Sequence, residues 1–386
     1  MRGHIRERSP GCWAIVLDHY DPMTGQRKRR WHSFKGTKRE AQIRCAQLIA
    51  ELESGAAVDP SKVRVTEFLD RFDRDWAVTH VSPRSRERYQ FALNHARRHL
   101  GNKQLQKVRP ADLATFYATL ARTGLAPRTI KLVHVVLHRA LGQAKIWGIV
   151  RDNPAELAKP APASIQEVVM LQPDQAAALL ERLHGKQPLY LLVSLALATG
   201  MRRNEMLGLR WRDVDLDAGR LTIEQSLEET AAYGIRVKGP KTKHGRRTIS
   251  LPVHLVAELR QRWREQQEQR LRMGLGKAPE GSPVFAGPDG GYLSPEALSK
   301  AWPGVVAAIG MPGVTLHSLR HTHASMLIAA GVDILTVSRR LGHASPTITL
   351  NTYGHLIRGT DERAAQIMEA AFGSKMVADS SKSPGK

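Results

Sequence analysis

The sequence is short of cysteine, aromatics, acid and long apolar runs, and each shortage closes off a class of protein. Its 386 residues include two cysteines, Cys12 and Cys45. Two thiols build neither a disulfide framework nor a cysteine-rich zinc site. Aromatic residues make up 5%, so the cores must be mostly aliphatic. The longest apolar run is Leu189 to Ala198, with Ser194 inside it. It falls well short of the roughly 20 residues a membrane span needs. No apolar stretch backs the charges of Met1-Arg-Gly-His-Ile-Arg-Glu-Arg8, which is unlike a secretory signal. The expectation is a cytoplasmic protein with no membrane attachment. There is no Gly-x-x-x-x-Gly-Lys-Ser/Thr loop for nucleotide phosphates, and carboxylates are nowhere grouped as a two-metal nuclease needs.

The shortage of acid is the informative one. Against 36 Asp and Glu stand 58 Lys and Arg, a net charge of +22. An excess of that size points to a polyanion, most often nucleic acid. It is unevenly spread: residues 1–60 carry +4, residues 61–160 carry +11 and residues 161–386 carry +7. A single charge run is ordinarily a solvated face. A bias across a whole domain-sized segment is better explained by nucleic-acid binding.

Two small-residue and proline-rich breaks, Ser54–Ser61 and Asp152–Ala163, divide the chain into three parts. The expected fold is multidomain α+β. Residues 1–55 read as a small β-sheet plus a helix, with strands Trp13–Leu17 and Arg29–Phe34 around a turn at Asp21–Gly25. Thr37-Lys-Arg-Glu40 is a capping box that opens the helix, with Ile43, Leu48 and Leu52 assigned to its apolar face. Basic residues Arg27 to Arg30 rim this sheet. Residues 62–155 read as four helices, Thr66–Ala77, Arg84–Leu100, Ala111–Arg122 and Pro127–Trp147. Arg84, Arg86, Arg88, Arg128 and Lys131 lie near helix starts, where backbone N–H groups also favour phosphate, and are the candidate DNA contacts. Residues 165–372 read as mainly α, with one small sheet from Arg220–Ser226, Gly234–Lys238 and Arg246–Leu251. Its helices are expected at Asp174–Leu183, Leu189–Ala198, His254–Met273, Ser294–Ile309, Ser318–Ala330 and Asp333–Arg340. The polar tail 373–386 reads as disordered.

Three clusters in the third part carry chemistry. They are Thr199-Gly-Met-Arg202-Arg-Asn-Glu205, then Thr315-Leu-His317-Ser-Leu-Arg320-His321-Thr-His323, then Leu341-Gly-His343-Ala-Ser continuing to Tyr353-Gly-His355. Arginine forks match phosphate oxygens bidentately and stay charged. Histidine donates to a phosphoryl oxygen or moves a proton near neutral pH. Tyrosine can be a covalent nucleophile. Together they suit attack on a phosphodiester, with fixed positive charge at the transition state. A zinc reading of His317, His321 and His323 is weaker, because no His-Glu-x-x-His is present and Arg320 would crowd a cation. His321 and His323 then read as structural or capping residues.

At these clusters the sequence resembles the tyrosine recombinase (phage integrase) family. The three boxes occur in the family's order, and the likeness extends over most of the chain. It implies an arm-type DNA-binding domain at 1–55, a helical core-binding domain at 62–155 that ends in Asn153-Pro154, and a catalytic domain at 165–372. Carried over by residue, it implies that Arg202 and Arg320 grip the scissile phosphate and that His317 and His343 hydrogen-bond it. His317 would also assist proton transfer. Tyr353 would attack phosphorus to give a 3′-phosphotyrosyl link and a free 5′-hydroxyl, and Glu205 would orient the site. The family's hairpin lysine, the general acid, has three candidates in Lys238, Lys241 and Lys243, of which Lys241 is preferred.

Because a phosphotyrosine keeps the bond energy of the phosphodiester, the resemblance implies no cofactor, neither ATP nor metal. The implied partners are double-stranded DNA, three further copies in a homotetramer on paired sites, and a DNA-bending or excision accessory protein. The helix Asp361–Phe372 would dock on a neighbouring copy or pack in cis. The arm-like first domain favours an integrase of a phage or other mobile element over a chromosome-dimer resolvase. A type IB topoisomerase and a DNA-binding regulator with a dead catalytic fold are the competing readings. The core-binding likeness speaks against the first and the complete residue set against the second.

Overall fold

The computed structural model describes residues 2–20, 27–53, 61–162, 169–239, 245–356 and 360–373. They fall into two compact units, 1–165 and 166–386. The expected turn at Asp21–Gly25, the first break up to residue 60, Ala163 at the end of the second, Lys241, Lys243 and the tail from 374 onward lie outside the described residues.

The first unit begins with an antiparallel three-stranded sheet of β1 (Arg2–Ser9), β2 (Cys12–Tyr20) and β3 (Arg27–Lys35), followed by helix α1 (Lys38–Glu53). The sequence reading missed β1. Its lone apolar residue, Ile5, sits among charged ones, and only pairing with the apolar β2 makes it a strand (Ile5 opposite Ile15). The capping box forms as expected: Thr37 N donates to Glu40 Oε2 at 2.7 Å and Glu40 N to Thr37 Oγ1 at 3.4 Å. The assigned helix face needs correction. Ile43 is exposed, and Ala41, Cys45 and Leu48 are the buried positions. Ile15, Leu17, Cys45 and Leu48 make this small core.

A separate apolar cluster follows in the same unit. It is built by α2 (Val65–Arg71), a π-helical stretch Phe72–Ala77, α4 (Pro83–Leu100), α5 (Pro110–Arg122) and α6 (Pro127–Ile146), with the short α3 (Val78–His80) between the π turn and α4. The first expected helix is thus interrupted, and over the π turn Phe72 stacks on Trp76. Proline at the first position starts α4, α5 and α6, where its missing N–H costs nothing. Asn153 caps a short turn and ties back to α6, its side-chain amide donating to the His138 carbonyl at 3.0 Å.

The second unit holds α7 (Pro173–Leu183), α8 (Leu189–Thr199), α9 (Arg203–Leu207), β4 (Val214–Asp215), β5 (Arg220–Ile223), β6 (Ser226–Thr230), β7 (Gly234–Lys238) and β8 (Arg247–Ser250). Then come α10 (Val253–Arg272), α11 (Pro295–Ala308), α12 (Leu316–Ala329), α13 (Ile334–Leu341), α14 (Pro346–Tyr353) and α15 (Thr360–Met368). The single expected sheet is two: β4-β5-β8, and the hairpin β6-β7. Between them the buried Gln225 donates through Nε2 to the Gly208 carbonyl (2.8 Å) and to Tyr292 Oη (2.9 Å). Satisfying that amide turns the chain out of the first ladder. Helix α8 is apolar nearly all round and lies at the centre of the main core, packed on α12, α7 and α10. A smaller cluster of Ala324, Ile328, Val337, Leu341 and Tyr353 joins α12, α13 and α14.

Candidate active site

Two glycine-terminated helices shape the site. Helices α8 and α13 both end on a left-handed glycine, Gly200 (φ 65°) and Gly342 (φ 68°). Such a turn leaves the last carbonyls unpaired within the helix. Arg320 uses them: Nη1 donates to the Gly200 carbonyl at 2.7 Å and Nη2 to the Leu341 carbonyl at 2.8 Å. A side chain at Gly200 would meet His323 Cδ2 at 2.6 Å, so the position needs glycine for space as well as for backbone.

Helix α12 brings the second cluster. Thr315 caps it, accepting from Ser318 N at 2.9 Å. His317, Arg320 and His321 then fall at i, i+3 and i+4 on one face. Arg320 is 2% exposed. Burial, then the charge of Arg202, pushes its basicity down to about 9, which leaves it charged at neutral pH.

Arg202 sits at the start of α9. Its backbone N–H donates to Glu205 Oε2 at 3.0 Å and its Nη1 to Oε1 at 2.7 Å, while Nη2 reaches the Gly342 carbonyl at 3.4 Å. Glu205 has a second cation that the sequence reading missed. Arg247, at the head of β8, donates from Nη2 to Glu205 Oε2 at 2.9 Å and from Nε to the Arg340 carbonyl at 2.7 Å. Both side chains of that pair are almost fully buried. Burial raises the Glu205 carboxyl, but Arg247 and Arg202 outweigh it and hold it below the usual carboxylate range. The strand alternation was the available signal, because Arg247 shares its face with the buried Ile249.

The third cluster closes the site. Ser345 caps α14, accepting from Thr347 N at 3.2 Å. His343 Nδ1 bonds the hydroxyl of the buried Thr349 at 2.7 Å. Burial, then Arg320 and Arg202, lowers His343 to about 4 and lowers His317 in the same sense with the same causes. Both imidazoles are neutral at pH 7. Tyr353, at the end of α14, is 1% exposed. Burial pushes its phenol up to about 12, with Arg320 opposing. Its hydroxyl is hydrogen-bonded to His321 Nδ1 at 2.7 Å.

His321, expected to be a structural or capping residue, lies against the candidate nucleophile. Its ring joins His317 (centroids 4.6 Å apart) to Tyr353 (5.6 Å). Its distance in sequence from Tyr353 hid this link. His323 is structural as expected: Nδ1 bonds the Leu197 carbonyl at 2.7 Å and Nε2 accepts from Arg340 Nε at 3.2 Å. Among the described residues no three His, Cys, Asp or Glu side chains converge as metal ligands. Of the hairpin lysines, Lys238 is described, and its Nζ pairs with Glu228 Oε1 at 3.0 Å. Lys241 and Lys243 lie outside the described residues.

The candidate DNA contacts separate into two kinds. Arg84, Arg88, Arg128 and Lys131 are exposed on the first two turns of α4 and α6, Arg84 beside Glu87 at 3.0 Å. Arg86 is instead half-buried and grips Asp73 with Nε and Nη2 at 3.0 and 2.9 Å, which ties α4 to the π turn. No helix among the described residues is long and apolar enough to cross a membrane.

Residues 170–358 match the model of the phage integrase family, a span that contains Arg202, Glu205, His317, Arg320, His343 and Tyr353. Similar proteins include a XerC-like tyrosine recombinase of Caldanaerobacter subterraneus subsp. tengcongensis, 26% identical over 87% of this chain and 90% of the relative. The ICEBs1 integrase of Bacillus subtilis is 24% identical over 91% and 94%, and an integrase of Streptomyces ambofaciens 28% identical over 96% and 95%. Among solved structures, the Tn1549 transposon integrase in complex with a circular intermediate DNA superposes with a TM-score of 0.67, at 20% identity over 80% of this chain and 99% of that one. A lambda integrase dimer bound to a core site gives 0.56 at 19% identity over 90% and 93%. With three ordered sequence boxes gathered around one buried tyrosine, a matching family model and relatives along nearly the full length, the chain belongs to the tyrosine recombinase (phage integrase) family.

Proposed function

We propose that the protein is the integrase of a phage or other mobile element, cutting and rejoining DNA through a 3′-phosphotyrosyl intermediate. The observation that carries this is the convergence of the Tyr353 hydroxyl, the carbonyl-held Arg320 fork and the Glu205-held Arg202 fork around the two helix-ending glycines. Arg202 and Arg320 clamp the scissile phosphate and stabilise the charge that grows on its oxygens. His317 and His343, neutral at pH 7, donate to those oxygens. Tyr353 Oη attacks phosphorus in line, and the 5′-oxygen leaves with a proton from a hairpin lysine, for which Lys241 is our choice. Glu205 orients Arg202. The reaction conserves the phosphodiester bond energy, so a second attack by a 5′-hydroxyl reseals the strand with no cofactor.

The remaining parts of the proposal concern DNA grip and assembly. The sheet at residues 1–55 is the arm-type module. Its outward face carries Arg6, Arg8 and the 57% exposed Trp31, with the Arg8 guanidinium 5.8 Å from the Trp31 ring, a suitable pairing for a groove. The bundle at 62–155 is the core-site clamp, which Arg84, Arg88, Arg128 and Lys131 press onto phosphate while Arg86 braces α4. The working form is a homotetramer on paired sites. In it the exposed Ile367, Met368 and Phe372 of the last helix dock on a neighbouring copy. The compartment follows the substrate, the cytoplasm at the nucleoid, and a DNA-bending or excision protein sets direction.

The test is to express the wild type in its host, trap protein–DNA adducts by denaturation, and sequence the attached DNA, with Tyr353→Phe as control. The expected result is enrichment at one or two loci that the mutant loses while keeping DNA affinity. Adducts from the mutant would remove Tyr353 as nucleophile.

A further inference from the structure

The proton on the Tyr353 hydroxyl must leave as the oxygen bonds phosphorus, and the motif reading assigns proton transfer to His317. The geometry points elsewhere: we propose that His321, through Nδ1, is the general base that takes the proton from Tyr353. This rests on Tyr353 being the nucleophile.

Three observations carry it. His321 Nδ1 is hydrogen-bonded to the Tyr353 hydroxyl at 2.7 Å, a distance at which a proton passes directly once the imidazole is in the tautomer with its proton on Nε2. The contact is partly screened from bulk water, because Tyr353 is 1% exposed and the half-buried His321 lies against both it and the His317 ring. The groups facing the imidazole are His317, Arg320, His343 and Tyr353 itself, none of them a carboxylate that would hold it protonated. Burial, then His317 and Arg320, lowers His321 to about 4, so its resting form is neutral. An imidazole so depressed is a weak base toward a resting phenol. The phosphate dianion character that develops beside Arg202 and Arg320 during attack favours a cation on His321 and strengthens it at that moment.

In the step, the Tyr353 Oη–phosphorus bond forms and the phosphorus–O5′ bond breaks. The phenolic proton moves to His321 Nδ1, and the leaving O5′ takes a proton from the acid side of the site. Resealing runs the same path backwards, with the His321 imidazolium returning its proton to the departing phenoxide. His317 is then left to hydrogen-bond the phosphate, which is how it shares the α12 face with Arg320.

The experiment measures covalent adduct formation in single turnover on two suicide half-sites. One has the ordinary 5′-oxygen and the other a 5′-bridging sulfur, which leaves without an acid. Full-length wild type, His321→Asn, His321→Gln, His317→Asn and Tyr353→Phe are compared from pH 5.5 to 9, with DNA binding measured in parallel. The amide oxygen of Asn takes the place of Nδ1 and keeps the hydrogen bond, but it cannot carry the proton. Expected for His321→Asn is a loss on the order of 10²-fold near pH 7 on both substrates, with binding retained. Its rate should climb about tenfold per pH unit as hydroxide replaces the base, whereas wild type on the sulfur substrate stays flat above pH 6.5. The glutamine variant gives the same readout should the asparagine variant fail to bind DNA. A wild-type rate and pH profile in either folded His321 variant, or hydroxide dependence appearing in His317→Asn instead, overturns the proposal. An absence of adducts from wild type itself, or adducts from Tyr353→Phe, strikes the nucleophile reading and is distinguishable from both.

Discussion

The two units use the same side chain, arginine, in opposite ways. On α4 and α6 of the first unit, Arg84, Arg88 and Arg128 stand in water, where solvent and salt screen them and their rotamers are loose. In the second unit, Arg320 and Arg247 are buried, and backbone carbonyls hold each fork in one orientation. Exposed arginines supply attraction that is strong in sum and tolerant in position. Buried ones supply a fixed field at one point, where low dielectric magnifies the charge and no reorganisation is needed when a phosphate arrives. Arg86 shows that sequence position does not settle the mode. It lies between two exposed arginines, yet it braces the bundle through Asp73.

The sharpest way to break this contrast is at Arg320. Arg320→Ala should lower the rate of strand cleavage by on the order of 10³-fold, far more than it lowers DNA affinity. Arg320→Lys should fail nearly as badly, because an ammonium keeps the charge but cannot span the Gly200 and Leu341 carbonyls as a planar fork. Single-turnover cleavage beside a gel-shift titration measures both, and a lysine variant near wild-type rate would mean that charge alone suffices.

Arg247 tests the structural side of a buried cation. Arg247→Ala leaves Glu205 buried with half its compensation, which should cost about 3–5 kcal/mol of folding stability. Chemical denaturation reads that cost. An additional Glu205→Gln change should recover part of it, because the uncompensated charge is then gone.

Acid should weaken the second unit by a related route. His321, His323 and His343 are each lowered from 6.5 to about 4 by burial first. The unfolded chain therefore binds more protons than the folded one between those values. Their contribution to stability is full above about pH 6.5 and is lost progressively as pH falls toward 4. The melting temperature should drop across that window, and a flat profile from pH 7 to 5 would contradict buried neutral imidazoles.

The smallest effects are expected on the exposed face. Arg84→Ala, Arg88→Ala or Arg128→Ala should change stability by no more than about 0.5 kcal/mol. If the side chain meets a phosphate, each should also reduce the salt slope of DNA binding by about one unit. Arg86→Ala should differ, losing stability first, because Asp73 would be left half-buried with the neutral Gln90 amide in place of its cation. Loss of stability is read by denaturation and the slope by binding titrations across salt concentrations.

Much of the site was legible because its parts are local. The i, i+3 spacing of His317 and Arg320 lies within one helix, and a capping threonine, a glycine stop or a Thr-x-x-Glu box is complete within a few residues. Local backbone physics is enough to place these. Strand β1 was not legible, because its partner's apolar face, and not its own composition, makes it a strand. Nor was the break between the two sheets, which depends on where the amide of Gln225 finds its acceptors.

The amino-acid order by itself determined which groups are present, their order along the chain, the excess of positive charge and the helix that presents His317 and Arg320, but not α14, which carries Tyr353. Only the tertiary structure decided which groups meet. Glu205 and Arg247 are 42 residues apart and His321 and Tyr353 32 apart. What joins them is the packing of α12, α13 and α14 into one core and the arrival of β8 beside α13. Contacts of that range arise from burying apolar surface that many residues share, so no single motif records them.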